Sequence, residues 1–130
     1  MYNLWTSWQI ATLNKPEVSS MQITITEMNR VDLVVVEGRV DSNNARELGE
    51  VLTAQLDKGR NKIVVDLEQV DYISSAGLRE LVSALKRAKQ DAGDLRLSAP
   101  SERVREVLEM AGLTSIFEVY DTQVAAVGSF

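Results

Sequence analysis

The chain has 130 residues, of which 45% are hydrophobic and 25% charged, and its formal net charge is −5. This length and composition are typical of one soluble globular domain. The negative charge argues against nucleic acid as a partner, since phosphate backbones need a basic surface. The chain contains neither cysteine nor histidine, which excludes disulfides, thiolate catalysis and cysteine metal sites and removes the commonest general base. We expect no metal and no cofactor.

No apolar run approaches the roughly 20 residues that a membrane span needs, and no signal peptide is recognisable at the N-terminus. We therefore expect a cytoplasmic protein with no membrane partner. Residues 1–20 differ from the rest, because Pro16 and the pair Ser19-Ser20 resemble a linker and three of the seven aromatic residues lie at the very start: Tyr2, Trp5 and Trp8.

We expect residues 1–20 to be an N-terminal extension, flexible or added ahead of a natural start at Met21, and residues 21–130 to form the domain. The alternative is an aromatic segment that packs on a neighbouring molecule.

Regular patterns begin at Met21. In "QITITEM", Ile23 and Ile25 alternate with threonines, which predicts a half-buried strand. The short turn at Asn29-Arg30 predicts that "VDLVVVEGRV" pairs back as a hairpin. Asn44 and Glu47 resemble a capping box that opens a helix. Gly59 is expected to end that helix, whose apolar stripe is Ala45, Leu48, Val51, Leu52 and Leu56.

The next run, "NKIVVDL", is almost entirely apolar and β-branched, which is typical of a strand buried on both faces in a parallel sheet. A helix follows with the stripe Leu78, Leu81, Val82, Leu85 and Ala88, and we expect Gly93 to end it. "DLRLSAP" predicts a short strand, and Ser101 is expected to cap a third helix that ends at Gly112.

That third helix has the stripe Val104, Val107, Leu108 and Ala111, and we expect Met110 to join the core. "SIFEVY" predicts a last short strand. Asp121 or Thr122 is expected to cap a final helix through Val124 and Val127. The order β-β-α-β-α-β-α-β-α indicates an α/β fold, a single-domain mixed β-sheet with a parallel centre packed against helices.

The most specific stretch is "DYISSAGLREL", residues 71–81, where a strand turns into a helix. A hydrolase nucleophile there would need Gly-x-Ser-x-Gly, but only the second glycine, Gly77, is present around Ser75, and no histidine could act as base. No phosphate-binding glycine motif is present either. A helix cap explains one serine. It does not explain two at the carboxyl end of a central strand, where binding sites form in open α/β sheets.

This motif and the order of elements resemble the STAS domain, in the small bacterial form that acts as an anti-sigma factor antagonist. The resemblance covers roughly residues 21–127 and rests on "EGRVD", "KIVVDLEQVDYISSAGLREL" and "SERVREVLEMAGLTSIFEVYDT". It implies the mixed α/β fold and a protein that is not an enzyme. The unphosphorylated form would bind an anti-sigma factor that is also a serine kinase and so release the sigma factor.

The resemblance also implies the site. Phosphorylation of Ser75 would end the binding, and a protein phosphatase would restore it. Ser74 stands where many of these antagonists carry Asp, and Ala76 where they carry Ser or Thr. The implied partner-binding residues are Asp41, Ser74, Ser75, Ala76, Gly77 and Arg79. A homodimer is a further expectation. The alternative function is a STAS interaction or scaffold subunit of another signalling or membrane-transport complex.

Other polar residues have simpler explanations. Asp41 could border the same surface or be a solvated loop carboxylate. Asp66 and Asp71 could suggest a Mg²⁺ site, but we interpret them as strand-end and turn residues, because one hard-cation site usually needs more oxygens. The basic cluster near residue 88 fits the C-terminal turns of a helix, where cations complement the dipole: Lys86, Arg87 and Lys89.

Overall fold

The computed structural model describes residues 20–130. The expectation for the N-terminal extension therefore lies outside the described residues, apart from Ser20. The strands are β1 (Met21–Glu27), β2 (Asp32–Val40), β3 (Lys62–Ile73), β4 (Asp94–Ser98) and β5 (Val119–Tyr120). The helices are α1 (Ala45–Asp57), α2 (Ser75–Gln90), α3 (Glu102–Met110) and α4 (Gln123–Gly128), with a 3₁₀ turn at Leu113–Ser115.

The five strands form one sheet in the order β1-β2-β3-β4-β5. The hairpin pair β1–β2 is antiparallel, and β2–β3, β3–β4 and β4–β5 are parallel. This confirms the predicted mixed sheet with a parallel centre and the predicted order of elements. All carboxyl ends of β2, β3 and β4 lie at one edge of the sheet, and the serine motif follows β3 there.

The sheet is covered on both faces, as its continuous apolar strands predict. On one face, the odd-numbered Ile63, Val65 and Leu67 of β3 pack in the larger core together with the stripes of α1 and α2. On the other face, Val64 packs with Leu33 and with Ala126 of α4. Strand alternation thus divides one β-branched run between two cores.

Strand β3 is longer than the sequence predicts. It continues beyond "NKIVVDL" as far as Ile73, and its pairing with β2 shifts register after Asp66 and again after Val70. Asp66 and Asp71, interpreted above as strand-end and turn residues, both lie inside β3. The polar stretch between them fits a strand whose register is broken by bulges.

Several apolar side chains of the predicted strands and helices are exposed. Met110 at the end of α3 is 88% exposed, so the expectation that it joins the core was wrong. Val124 is 82% exposed, although α4 forms where the final helix was predicted. Ile25 is 37% exposed, because β1 is an edge strand and its C-terminal half projects beyond the core. In each case helical or strand periodicity identified a face but not how far the covering elements extend.

Two residues predicted to start or end a helix act in a different way from the one predicted. Asn44 is the N-cap residue of α1, but its side chain makes no capping bond. At the end of α2 the left-handed residue is Ala92, with a φ of 67°, rather than Gly93. Gly93 is required for space, since a Cβ there would collide with the backbone oxygen of Asn61.

Candidate functional site

The serine turn joins β3 to α2 through Ser74. Its backbone is extended, its Oγ accepts a hydrogen bond from the Gly77 N–H at 3.1 Å, and its carbonyl accepts from the Leu78 N–H at 2.9 Å. Its own N–H donates to the Val40 carbonyl at 2.8 Å. Of the two serines, Ser74 is therefore the one that caps the helix, and its hydroxyl is occupied by that function.

Ser75 is the first residue of α2 and is exposed. Its hydroxyl makes no hydrogen bond within residues 20–130. The two adjacent serines thus have different environments: one hydroxyl is held by the helix and the other is open to solvent. Ala76, next in the chain, is half-buried against the larger core, so only Ser75 offers a free hydroxyl in this turn.

Gly77 is buried where α2 approaches the sheet. A Cβ built on it would lie 2.7 Å from Cγ1 of Val40 and 2.9 Å from Cγ1 of Ile73. These distances are shorter than carbon–carbon contact allows. Glycine here lets the first turn of α2 sit directly on the ends of β2 and β3, which fixes where Ser75 emerges.

The loop between β2 and α1 lies beside the serine turn, because Val40 ends β2 and bonds to Ser74. In this loop Asp41 Oδ1 accepts from the N–H groups of Asn43 at 2.9 Å and Asn44 at 3.1 Å. The structure thus brings Asp41 to the same edge of the sheet as the serine turn. Its carboxylate is not simply solvated, because it holds the loop closed as an Asx turn.

Asn44 is a residue whose function the sequence reasoning missed. Its Oδ1 accepts from the Asp41 N–H at 2.9 Å, and its Nδ2 donates to the Arg39 carbonyl at 2.9 Å and to Ser20 Oγ at 3.0 Å. It therefore links three parts of the chain at this edge instead of capping a helix through Glu47. The run "DSNN" was the available signal, since such residues favour side-chain-to-backbone bonds in loops.

Arg39 and Tyr72 form a second feature that was not predicted. They are register partners on β2 and β3, and the Arg39 guanidinium lies 4.5 Å from the Tyr72 ring centre. Such cation–π pairs hold a cationic group in a defined position at the surface. An arginine and an aromatic residue one strand apart leave no periodic signal, because their pairing depends on the register shifts of β3.

Arg79 lies on α2, four residues after Ser75, and is exposed. Residues at this spacing share a helix face. No hydrogen bond or ion pair to Arg79 is found in the described part of the chain. The six predicted partner-binding residues therefore occupy one region: five on the first turns of α2 and its cap, and Asp41 in the neighbouring loop.

The region offers an exposed hydroxyl one helical turn before Arg79, which has no ion pair among residues 20–130. The chain has no histidine that could act as a base beside this hydroxyl. Within residues 20–130 no group of three or more acidic side chains is placed to hold a metal ion. Asp66 is buried, accepts from Ser98 Oγ at 2.7 Å, and lies apart from the exposed Asp71 in the same strand.

The basic residues near the end of α2 agree with their predicted place. Arg87 and Lys89 lie in its last turn. Arg87 pairs with Asp57 and with Asp91, both at 3.1 Å. These two carboxylates raise the pKa of Arg87 through hydrogen bonds, that to Asp57 being the larger cause.

None of the helices in residues 20–130 has the length and apolar character needed to cross a membrane.

Comparison with known proteins agrees with this geometry. The chain matches the STAS domain family over residues 22–126. It is 40% identical over 110 residues to BtrV of Bordetella bronchiseptica, whose name describes an anti-sigma factor antagonist, with 85% of this chain and 95% of that protein covered. It is 33% identical over 100 residues to the anti-sigma-B factor antagonist of Staphylococcus aureus, covering 77% of this chain and 93% of that protein.

Solved structures show the same fold. An anti-sigma factor antagonist of Thermotoga maritima superposes with a TM-score of 0.75 at 28% identity, over 82% of this chain and 92% of that one. SpoIIAA of Bacillus in its phosphorylated form superposes with a TM-score of 0.68 at 17% identity, over 83% and 98% of the two chains. Anti-sigma factor antagonists are thus among the proteins that this chain resembles in sequence and in fold. The chain belongs to the STAS domain family.

Proposed function

We propose that this protein is an anti-sigma factor antagonist that works by binding and is not an enzyme. In its unphosphorylated form it binds an anti-sigma factor that is also a serine kinase, and so releases the sigma factor. Transfer of the γ-phosphoryl group of ATP to the Ser75 hydroxyl, catalysed by that kinase, ends the binding. A protein phosphatase restores the binding form. The setting is the cytoplasm, with no direct contact to nucleic acid or membrane.

The observation that carries this proposal is the difference between the two serines. Ser74 Oγ is held in the cap of α2, whereas the Ser75 hydroxyl is exposed and without a hydrogen bond in the described residues. A kinase needs an accessible acceptor whose modification leaves the fold in place. The exposed Ser75 hydroxyl fits both conditions better than that of Ser74, which is half-buried and already accepts the Gly77 N–H.

The proposed partner surface is formed by Asp41, residues 74–77 and Arg79. A phosphate on Ser75 would bring a charge near −2 into the middle of it. Leaving such a charge buried without a partner costs several kcal/mol, which corresponds to roughly a hundredfold loss of affinity or more. The same group at the first turn of α2 is tolerated by the domain, since the helix dipole favours an anion there by about 0.3–1 kcal/mol.

The proposal is tested by phosphate transfer from radiolabelled ATP with the proposed partner kinase, isolated by its binding to this protein. We expect label on the unmodified chain and on Ser74→Ala, and none on Ser75→Ala. Mass spectrometry of the labelled peptide should place the phosphate on Ser75. Label on Ser74, or undiminished labelling of Ser75→Ala, would contradict the assignment. Absence of any transfer would favour the scaffold function instead.

The domain boundary belongs to the same proposal. We propose that the functional unit is residues 21–130, preceded by an extension. Ser20 contributes to the unit from outside that boundary, because its carbonyl accepts from the Arg39 N–H at 2.9 Å and its Oγ accepts from Asn44. The protein is also proposed to form a homodimer.

A further inference from the structure

A groove separates the second half of α2 from the 3₁₀ turn that follows α3. Its volume is about 370 Å³, and it is lined by Val82, Leu85, Lys86, Lys89, Ser115 and Ile116. Leu85 is buried, Val82 is half-buried, and Ile116 is 44% exposed. The groove is thus an apolar surface open to solvent, with room for a long side chain.

Two lysines border this groove. Lys86 and Lys89 are exposed, and neither forms an ion pair within residues 20–130. The neighbouring Arg87 differs, because it pairs with Asp57 and Asp91. Two ammonium groups therefore lie beside an apolar groove on a chain whose net charge is −5. An occupant that combines an apolar side chain with carboxylates complements this groove.

The C-terminal end of α3 has the opposite charge. Glu106 and Glu109 are exposed there, and the last turn of α3 contains no basic residue. No lysine or arginine follows Arg105 in the chain, and neither glutamate has an ion pair in the described part. Carboxylates near a helix C-terminus are disfavoured by the helix dipole. A cation supplied from outside α3 would therefore stabilise this end.

Met110 adds an apolar side chain to the same end. It is the last residue of α3 and is 88% exposed. Glu106 precedes it by four residues, so these two side chains share a helix face, and Glu109 is its neighbour in the chain. A single exposed apolar side chain is ordinary. Together with two unpaired carboxylates, however, it forms the combination that complements the groove.

We propose that a second copy of this chain occupies the groove, in a twofold dimer. Met110 of each chain enters the groove of the other chain. The two glutamates beside it then face the partner's Lys86 and Lys89. This inference rests on the homodimer proposed above and names the surface through which it forms.

One twofold axis can satisfy both halves of this interface. A twofold dimer uses the same patch on both subunits, so every contact occurs twice. The end of α3 and the groove are neighbours, because residues 111–115 join them and the 3₁₀ turn that lines the groove packs against α3. An axis between the two surfaces places each α3 end against the other chain's groove.

The dimer leaves the serine turn accessible. Ser75 is the first residue of α2, whereas Lys86 lies eleven residues later, roughly 16 Å along the helix axis. The anti-sigma factor and the second copy would therefore bind opposite ends of α2. We expect each subunit of the dimer to retain its own partner surface.

Charge reversal tests the surface in the full-length chain. The reversed-groove variant carries Lys86→Glu and Lys89→Glu, and the reversed-helix variant carries Glu106→Lys and Glu109→Lys. Each variant alone opposes like charges at both contacts of the dimer. Each should raise the dissociation constant of the dimer at least about tenfold, measured by sedimentation over a concentration series.

Mixing the two variants is the decisive step. In a mixed dimer, the glutamates of the reversed groove face the lysines of the reversed helix, and the other contact retains its natural charges. An equimolar mixture should therefore dimerise like the unmodified chain at a concentration where each variant alone is monomeric. Two variants that remain monomeric when mixed would overturn the proposal.

The matched control reverses two cations elsewhere. Arg30→Glu with Arg46→Glu changes the net charge as much as the reversed groove does, at exposed positions in the β1–β2 turn and in α1. It should leave the dissociation constant unchanged. Thermal unfolding of every variant shows that the domains compared are folded.

The apolar contact has its own test. Met110→Ala should weaken the dimer about tenfold, because the side chain is buried twice in the interface. Val124→Ala shortens a similarly exposed side chain on α4 and should have no effect. Both positions are exposed in the single chain, so neither change should disturb folding. Equal effects of the two substitutions would contradict the proposed contact.

The failures are distinguishable. A dimer that is insensitive to both charge reversals and to Met110→Ala would overturn this surface and leave the homodimer itself in place. A chain that stays monomeric over the whole concentration series would overturn both. Neither result would affect phosphate transfer to Ser75, which is measured separately.

Discussion

Single residues decide what the serine turn can do. Ser74 and Ser75 have the same side chain, yet one hydroxyl caps α2 and the other is free. We expect Ser74→Ala to lower the free energy of unfolding by about 1 kcal/mol, the usual cost of a lost N-cap. Ser75→Ala should change it by less than about 0.5 kcal/mol, as at an ordinary surface position. Denaturant unfolding of the two variants, side by side, measures the difference, and equal losses would contradict the separate roles.

Arg79 gives a second prediction at this scale. It shares a helix face with Ser75 and has no partner in the described residues, so a phosphate on Ser75 should pair with it. Pairing favours the dianion and lowers the second pKa of the phosphoserine. Exposed pairs contribute about 0.2–1 kcal/mol, so Arg79→Ala should raise that pKa by roughly 0.2–0.7.

Phosphorus NMR of the phosphorylated protein across pH measures this pKa. Arg103→Ala, which removes an exposed arginine from α3, is the control and should leave the phosphoserine pKa where it was. An identical pKa in the unmodified chain and in Arg79→Ala would show that Arg79 does not reach the phosphate.

At the scale of elements, the site depends on how closely α2 approaches the sheet. Gly77→Ala would push a methyl group against Val40 and Ile73. We expect a loss of about 1–3 kcal/mol, typical of overpacking, and weaker partner binding because Ser75 is displaced. Gly128→Ala is the control, since a Cβ there meets nothing within 4 Å. A Gly77→Ala protein as stable as the unmodified chain would mean that the contact is easily relieved.

The link between β1 and α1 predicts a pH dependence. Hydrogen bonds from Gln55, and then from Lys58, lower the pKa of Glu27 from its ordinary value of 4.5. A carboxyl whose pKa is lower in the folded state stabilises the protein above its unfolded pKa. That stabilisation is lost as pH falls through the folded pKa.

Glu27→Gln should therefore flatten the decline of stability below about pH 4.5, measured by thermal unfolding over a pH series. An unchanged slope would show that Glu27 contributes nothing to the acid sensitivity.

For the molecule as a whole, the sequence was sufficient to predict the order of elements and the position of the serine turn. Strand and helix periodicities are strong in this chain, and Ser74 and Ser101 are capping residues of the ordinary kind. What could not be predicted depended on contacts between distant segments. The length of β3, the exposure of Met110 and the bonds of Asn44 depend on which elements lie beside them, and periodicity along one segment does not contain that information.

The site residues likewise fall into those that the sequence predicts and those that depend on contacts between distant segments. Five of its six expected residues follow from one contiguous motif, and Asp41 joins them only because β2 and β3 end at the same edge of the sheet. The Arg39–Tyr72 pair was missed because its contact arises from strand register. Asn44 was missed because its bond to Ser20 joins segments that are distant in the sequence.

The central claim is that phosphorylation of Ser75 blocks the partner without disturbing the domain. The most direct measurement takes the protein phosphorylated at Ser75 and determines both its thermal unfolding and, by calorimetry, its affinity for the anti-sigma factor. We expect stability to stay within about 1 kcal/mol of the unmodified chain while affinity falls roughly a hundredfold or more. A phosphorylated domain that unfolds, or one that stays folded and binds with undiminished affinity, would contradict the account.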